Sequence, residues 1–553
     1  MRGCALFFVC LCALAQPYDV ILAGGRVVDG TGNAWFYGDV AIRGDRIARV
    51  APAGILRDAA ANERIDVRGL VVAPGFIDIQ GQSRGALLTG DGRLISKVTQ
   101  GITTEILGEG ITNAPANQKT LAAEVDDNAR KINGRFTGPH AFRDWLEAMQ
   151  QHGASVNFGS FVGATTLRMY GKGMAQGEPT AAELEDMRGA MKRGMEDGAF
   201  GLSSALIYPP GEYTTTKELI ELARVMSPYG GVYITHMRSE ADRLLEAIGE
   251  AIEIGRSGGV PVEIYHLKAA GQANWPKMAQ AIAKIEEARR AGVDIGADMY
   301  PYVAGGTGLT VCLPPWASAD GMLFDNLKDA QMRARIHAES VAPARDWENI
   351  CQMATPEGVL ITQLLKPENQ QYAGKRLSEI AQMAHKDWAD AAMDLISSEH
   401  RRVESIFFIA SEDNLKLQLR QPWVKFGTDA AGLDPATARG LAHPRAYGNF
   451  PRVLGKYVRE EKVIPLEDAI RKMTSAVANR LSIPDRGLLK QGMFADIVVF
   501  DPNTIADRAT YENPHQIPDG IREVFVNGVP VVRNGGHTGA KPGRIVYGPG
   551  YRP

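Results

Sequence analysis

Apolar residues along this chain recur with two periods. Near both ends they alternate with polar ones, as in 18–22, 26–30, 39–42 and 46–50, with Gly24-Gly25 and Arg43-Gly44-Asp45 between runs. The same texture returns at 495–500 and 524–532. Alternation broken by Gly-Asp turns predicts hairpin strands. Two β-rich ends, 16–73 and 487–553, predict a small β-sandwich assembled from both termini. Between them, short apolar runs at 70–79, 103–107, 155–162, 200–203, 232–236, 261–266, 293–298, 405–410 and 424–429 predict strands. They alternate with stretches of helical period, among them 180–197, 217–227, 240–257 and 277–291. Repeated strand–helix units imply a parallel sheet, and so many of them a (β/α)₈ TIM barrel over 74–486. A doubly wound sheet is the competing arrangement. One strand candidate is left over beyond eight, and 317–372 reads as an insertion near the barrel mouth.

The length of 553 residues suits one large barrel with a smaller domain. With 61 Lys+Arg against 64 Asp+Glu, the charge balance points to no nucleic acid and no membrane surface as partner. Met1-Arg2, an apolar run over 4–14 and Ala13-Leu14-Ala15 form a signal-peptide pattern with its cleavage site, so residues 1–15 are set apart from the fold. The apolar run is too short to anchor the chain across a bilayer, and a secreted or periplasmic protein is expected. Removal of the leader takes Cys4, Cys10 and Cys12 with it. Cys312 and Cys351 remain; an oxidising compartment permits a bridge between them, and spacing alone leaves it open.

Barrel enzymes carry reactive groups at the C-terminal ends of strands. The run 232–236 ends on His236, and 261–266 ends on His266 with Lys268 just beyond. The run 424–429 ends on Asp429. A single strand-end histidine is usually structural. Only ten histidines occur in the chain, however, and two of them end consecutive units. Two imidazoles and a carboxylate on separate strands suit a hydrolytic Zn²⁺ site.

Further stretches carry a family resemblance. They are Pro74-Gly75-Phe76-Ile77-Asp78, Gln100-Gly101-Ile102-Thr103-Thr104, Gly201-Leu202-Ser203-Ser204 and Tyr208-Pro209-Pro210-Gly211. Thr235-His236-Met237-Arg238, His266-Leu267-Lys268, Tyr300-Pro301-Tyr302 and His443-Pro444-Arg445 follow in order, and 492–501 closes the series. The chain resembles the N-acyl-D-amino-acid deacylases (D-aminoacylases) of the amidohydrolase superfamily over nearly its whole mature length. The resemblance implies that His236 and His266 hold one tightly bound zinc. It implies that Asp429 takes a proton from the attacking water and passes it to the leaving amine. It also makes Lys268, Tyr300 and Arg445 the binding residues for the substrate's α-carboxylate, which two cations and a phenol suit chemically.

The chain departs from that pattern twice. Where the family opens its barrel with His-x-His, this chain has Gln80-Gly81-Gln82, and a neutral amide is a poor zinc ligand. Where the family has a metal-binding Cys, this chain has Leu107-Gly108-Glu109-Gly110. Glu109 then becomes the expected third ligand, with Glu105 on the same strand as the alternative. The expected activity is hydrolysis of small N-acyl-D-amino acids. A cyclic-amide hydrolase of the dihydroorotase or hydantoinase kind is the alternative, although no bridging lysine ends the strand near Gly201. A catalytically impaired secreted binding protein for N-acyl amino acids is a third reading.

Overall fold

The computed structural model describes residues 17–344 and 347–553. The expected leader, 1–15, lies outside the described residues. The fold is mixed α/β, and among the described residues its strands form four sheets.

Two of these sheets are parallel and meet edge to edge. Phe76–Asp78 pairs with Ile102–Leu107, which pairs with Asn157–Ser160. Val162–Gly163 follows at once and pairs with Gly201–Ala205. From there the order runs through Val232–His236, Val262–Ile264 and Ile295–Met299 to Val424–Phe426. Beyond its strand, Asp429 donates its N–H to Gln80 O at 2.8 Å, and Gln82 donates to Ala430 O at 3.1 Å. Those bonds tie the last parallel strand back to the first.

Alternation along the strands explains the packing. Ile77, Ile106, Phe161, Val232, Ile234 and Tyr265 gather in one buried cluster. Their neighbours Tyr233, Val262 and Ile264 instead join the core shared with the helices. The helix Ala181–Glu196 shows how the connecting elements begin. The Thr180 hydroxyl accepts from the Glu183 N–H while the Glu183 carboxylate accepts from the Thr180 N–H, a capping box. Such a cap stabilises a helix by about 1 kcal/mol. Met187, Ala190, Met191 and Met195 form the buried stripe of this helix.

Strands from both chain ends join one nine-stranded sheet among the described residues, with Val71–Pro74 pairing Ile497–Phe500. The run 70–79 is therefore two strands in two sheets, a correction to the single strand expected from its apolarity. They part at Gly75, where a Cβ would stand 2.2 Å from Thr103 Oγ1, so the backbone passes closer to its neighbour than any side chain allows. The run 405–410 also differs from expectation. It forms Glu404–Phe408, antiparallel to Ala304–Gly308 and Val359–Gln363 in a separate sheet. This accounts for the surplus strand candidate. The separate sheet begins and ends outside the 317–372 stretch, and Cys312, just before that stretch, is bridged to Cys351 inside it.

A buried ionic network fastens the seam. Lys97, 0% exposed, donates to Asp78 Oδ2 at 2.7 Å, Thr428 Oγ1 at 2.6 Å and Ala430 O at 2.7 Å, and lies 3.3 Å from Glu105 Oε1. Lys97→Met would strand buried carboxylates without their cation. The expected loss is about 3–5 kcal/mol of unfolding free energy, read from urea titrations. A loss within about 0.5 kcal/mol, the ordinary range of a surface change, would show that the network does not hold the seam.

Candidate active site

The side chains singled out in the sequence converge on one cavity of about 690 Å³, lined by Glu109, His236, His266, Lys268, Tyr300, Asp429 and Arg445 among others. His236 closes its strand, Val232–His236. His266 lies two residues beyond Val262–Ile264 with φ +32°, and Asp429 lies beyond Val424–Phe426 with φ +46°. Residues other than glycine seldom adopt this left-handed backbone, and where they do the surroundings hold them. Here the holding bonds are His266 N–H to Asp298 Oδ1 at 2.8 Å and Asp429 N–H to Gln80 O at 2.8 Å.

Three donor atoms form a small triangle. His236 Nδ1 is 3.0 Å from His266 Nε2, and Glu109 Oε1 is 3.3 and 3.2 Å from these two nitrogens. Ligands about 2.0–2.1 Å from a tetrahedral zinc stand just over 3 Å apart, so the triangle fits such an ion and leaves one side open. The remaining oxygen of Glu109 accepts from Gln80 Nε2 at 2.7 Å and from Gln82 Nε2 at 2.6 Å. Both amides therefore brace that carboxylate through Nε2, while Gln80 Oε1 is buried without a partner. Burial pushes Glu109 up, but hydrogen bonds from the two imidazoles prevail and hold it well below the usual carboxylate range. Glu105, the alternative, is committed elsewhere: it accepts from Ser83 N–H at 3.1 Å and Ser83 Oγ at 2.7 Å and faces Lys97.

Glu240 escaped the sequence reading. Its carboxylate accepts from Lys268 Nζ at 2.9 Å on both oxygens and lies 3.0 Å from His266 Nδ1. His266 Nδ1 faces both Glu240 and, at 2.7 Å, Lys268 Nζ; a proton on Nδ1 shared with Glu240 is the tautomer that would leave the Nε2 lone pair for a metal. The only signal was a carboxylate four residues after His236. Burial raises Glu240, but the Lys268 ammonium together with His236 and His266 outweighs it, leaving the group below its ordinary value.

Tyr300, its ring centre 6.2 Å from that of His266, has two cations close to its ring. Arg445 lies 4.5 Å and Lys268 Nζ 5.6 Å from its ring centre. Arg445 Nη2 is 2.9 Å from Asp429 Oδ2, while its Nε and Nη1 are buried without a partner. Gln82 Nε2 reaches Asp429 Oδ1 at 3.3 Å. Burial raises the Asp429 carboxyl above its usual value, against the pull of Arg445.

Parallel strands whose ends bring imidazoles and carboxylates to one cavity define the class of metal-dependent amidohydrolases. The amidohydrolase family profile matches residues 161–532. The D-aminoacylase of Alcaligenes xylosoxydans xylosoxydans is 36% identical over 533 residues, covering 96% of this chain and 98% of that protein. A solved D-aminoacylase structure, described as having a binuclear metal centre, superposes with a TM-score of 0.79 at 34% identity, over 96% of this chain and all of that one. The N-acyl-D-glutamate deacylase of Bordetella bronchiseptica, solved with zinc and a phosphonate inhibitor, gives 0.77 at 29% identity, with 96% and 100% coverage. The chain belongs to the amidohydrolase family, among its D-aminoacylases and N-acyl-D-amino-acid deacylases.

Glu109→Gln is expected to lower zinc affinity by at least about tenfold, since even outer-shell partners contribute that much. Metal content after dialysis against graded chelator measures it. If Glu105→Gln emptied the site and Glu109→Gln did not, the third ligand would be Glu105.

Proposed function

We propose that this protein is a zinc-dependent hydrolase of linear N-acyl-D-amino acids, releasing a carboxylate and the free D-amino acid. The observation that carries this reading is the donor triangle of Glu109, His236 and His266 sharing one cavity with Lys268, Tyr300 and Arg445. The near full-length similarity to D-aminoacylase supports the same substrate class.

Glu109, His236 and His266 would hold the ion. Zinc bound there supplies Lewis acidity that polarises the amide carbonyl and makes water more acidic. Lys268, Tyr300 and Arg445 bind the α-carboxylate; the partnerless Nε and Nη1 of Arg445 are a hydrogen-bonding demand that a carboxylate satisfies. Asp429 accepts the proton of the attacking water and returns it to the leaving nitrogen. The Gln82 amide at its other oxygen orients the carboxylate. Because Gln80 and Gln82 are bonded to Glu109, we assign one zinc per chain.

The same reading covers the architecture. The parallel strands, tied back by Gln82 N–H to Ala430 O, are taken as a (β/α)₈ barrel over 74–486. The nine-stranded sheet, with Val20, Leu22, Val40, Val72, Ile497 and Phe525 in one core, is taken as a small sandwich of 16–73 and 487–553. The Cys312–Cys351 bridge supports export through the leader, because disulfides persist in oxidising compartments.

Elemental analysis and a panel of N-acetyl-D-, N-acetyl-L- and cyclic substrates test the reading together. About one zinc per chain and turnover confined to the linear D compounds are expected. Preferred turnover of cyclic imides would favour the hydantoinase-like alternative. Tight binding of the acylated amino acids without turnover would make the protein a binder.

A further inference from the structure

The cavity carries one more cation than a singly charged N-acyl amino acid needs. Arg84, Lys268, Arg402 and Arg445 all line it. Lys268 is paired with Glu240 at 2.9 Å, Arg445 with Asp429 at 2.9 Å and Arg402 with Glu404 at 2.8 Å. For Arg84 there is no hydrogen bond and no ion pair among the described residues, although it is half-buried. The double charge of zinc is met by Glu109 and the substrate's α-carboxylate, and the three ion pairs are neutral. Arg84 is therefore left without a direct partner, and Glu124 and Glu109 act on it only from beyond ion-pair distance.

Arg84 is also firmly placed. It begins the helix Arg84–Leu88, and Ser83 before it is fixed through Oγ to Glu105 at 2.7 Å and to the Gly432 N–H at 2.7 Å. Burial lowers its pKa against the attraction of Glu124 and Glu109, and Arg402 adds a smaller repulsion. Arg402 lies two residues before the strand Glu404–Phe408, with its Nη2 3.3 Å from Thr307 Oγ1. Guanidiniums with such surroundings favour a carboxylate that can be held by two parallel N–H groups.

We propose that Arg84, assisted by Arg402, forms a subsite for a second anionic group on the substrate. That group is a carboxylate carried by the amino acid's side chain or by the acyl group. The inference rests on the hydrolase reading above and adds to it the preferred substrate class: dianionic N-acyl amino acids.

The test compares acids with their isosteric amides on the zinc-loaded protein. One arm sets N-acetyl-D-glutamate against N-acetyl-D-glutamine. The other sets N-succinyl-D-valine against its succinamoyl counterpart. In one arm the acid should exceed the amide in kcat/KM by about tenfold or more. Arg84→Gln should collapse that ratio towards unity, Arg402→Gln should reduce it less, and Arg84→Lys should keep part of it. The arm showing the preference tells which part of the substrate bears the charge. Ratios near unity in both arms, or a ratio that survives Arg84→Gln, would overturn the subsite and leave the hydrolase standing. Calorimetric Kd values for the same pairs separate the opposite case. An acid preference in binding that needs Arg84, without turnover of any compound, would uphold the subsite and remove the hydrolase.

Discussion

His236→Ala is expected to empty the zinc site and reduce kcat/KM by about three orders of magnitude or more. Lewis-acid stabilisation supplies several kcal/mol at the transition state, and each ~1.4 kcal/mol is tenfold in rate. The loss should be this large because the donor atoms form a single triangle. Removing His236 Nδ1 leaves His266 Nε2 and Glu109 Oε1, 3.2 Å apart, with no third donor grouped with them among the described residues. Gln80 and Gln82 are poor replacements, since a neutral amide oxygen binds zinc weakly beside imidazole and their Nε2 groups are held by the other oxygen of Glu109. Elemental analysis beside the rate decides the matter. Full zinc content with a normal rate in His236→Ala would place the metal elsewhere.

Asp429→Asn should behave in the opposite way towards the metal. Zinc content should be unchanged while kcat falls by about 10²–10⁴, the usual contribution of a positioned acid–base group. The pH dependence carries a sign. Catalysis requires the ionised carboxylate, and burial raises its pKa above the ordinary aspartate value of about 3.9. Activity is therefore lost as pH falls through that raised value, and the acidic limb of kcat/KM lies above the usual range. Arg445 opposes the rise, so Arg445→Met should move the limb further up as well as weaken substrate binding. A limb at or below the ordinary aspartate value would remove Asp429 from the role.

Much of this site was legible in the sequence because strand ends are legible. His236, His266 and Asp429 each follow a short apolar run, and parallel units carry such ends to one face whatever the details between them. Glu109 was readable through the change from the family pattern, but the choice over Glu105 needed the fold. The two differ in whether they face Lys97 or the imidazoles, which no pattern of apolar residues encodes. Glu240 was hidden for a related reason. It belongs to the irregular segment after a strand, where spacing carries no direction. In the fold, the run 70–79 misled because its apolarity is continuous across Gly75 while its partners change sheet. The run 405–410 is as apolar as a barrel strand, and only its antiparallel neighbours set it apart.

The seam between Gln80 and Asp429 has a consequence for how the protein is made. The backbone bonds that place Asp429 join residues almost 350 positions apart in the chain, and closing so long a loop comes late when folding follows synthesis. Glu109, His236 and His266 have all been synthesised well before. The proposed metal-binding residues are therefore synthesised before the proposed general base. A polypeptide interrupted ahead of residue 424 contains all three proposed metal-binding residues and lacks Asp429, the proposed proton carrier.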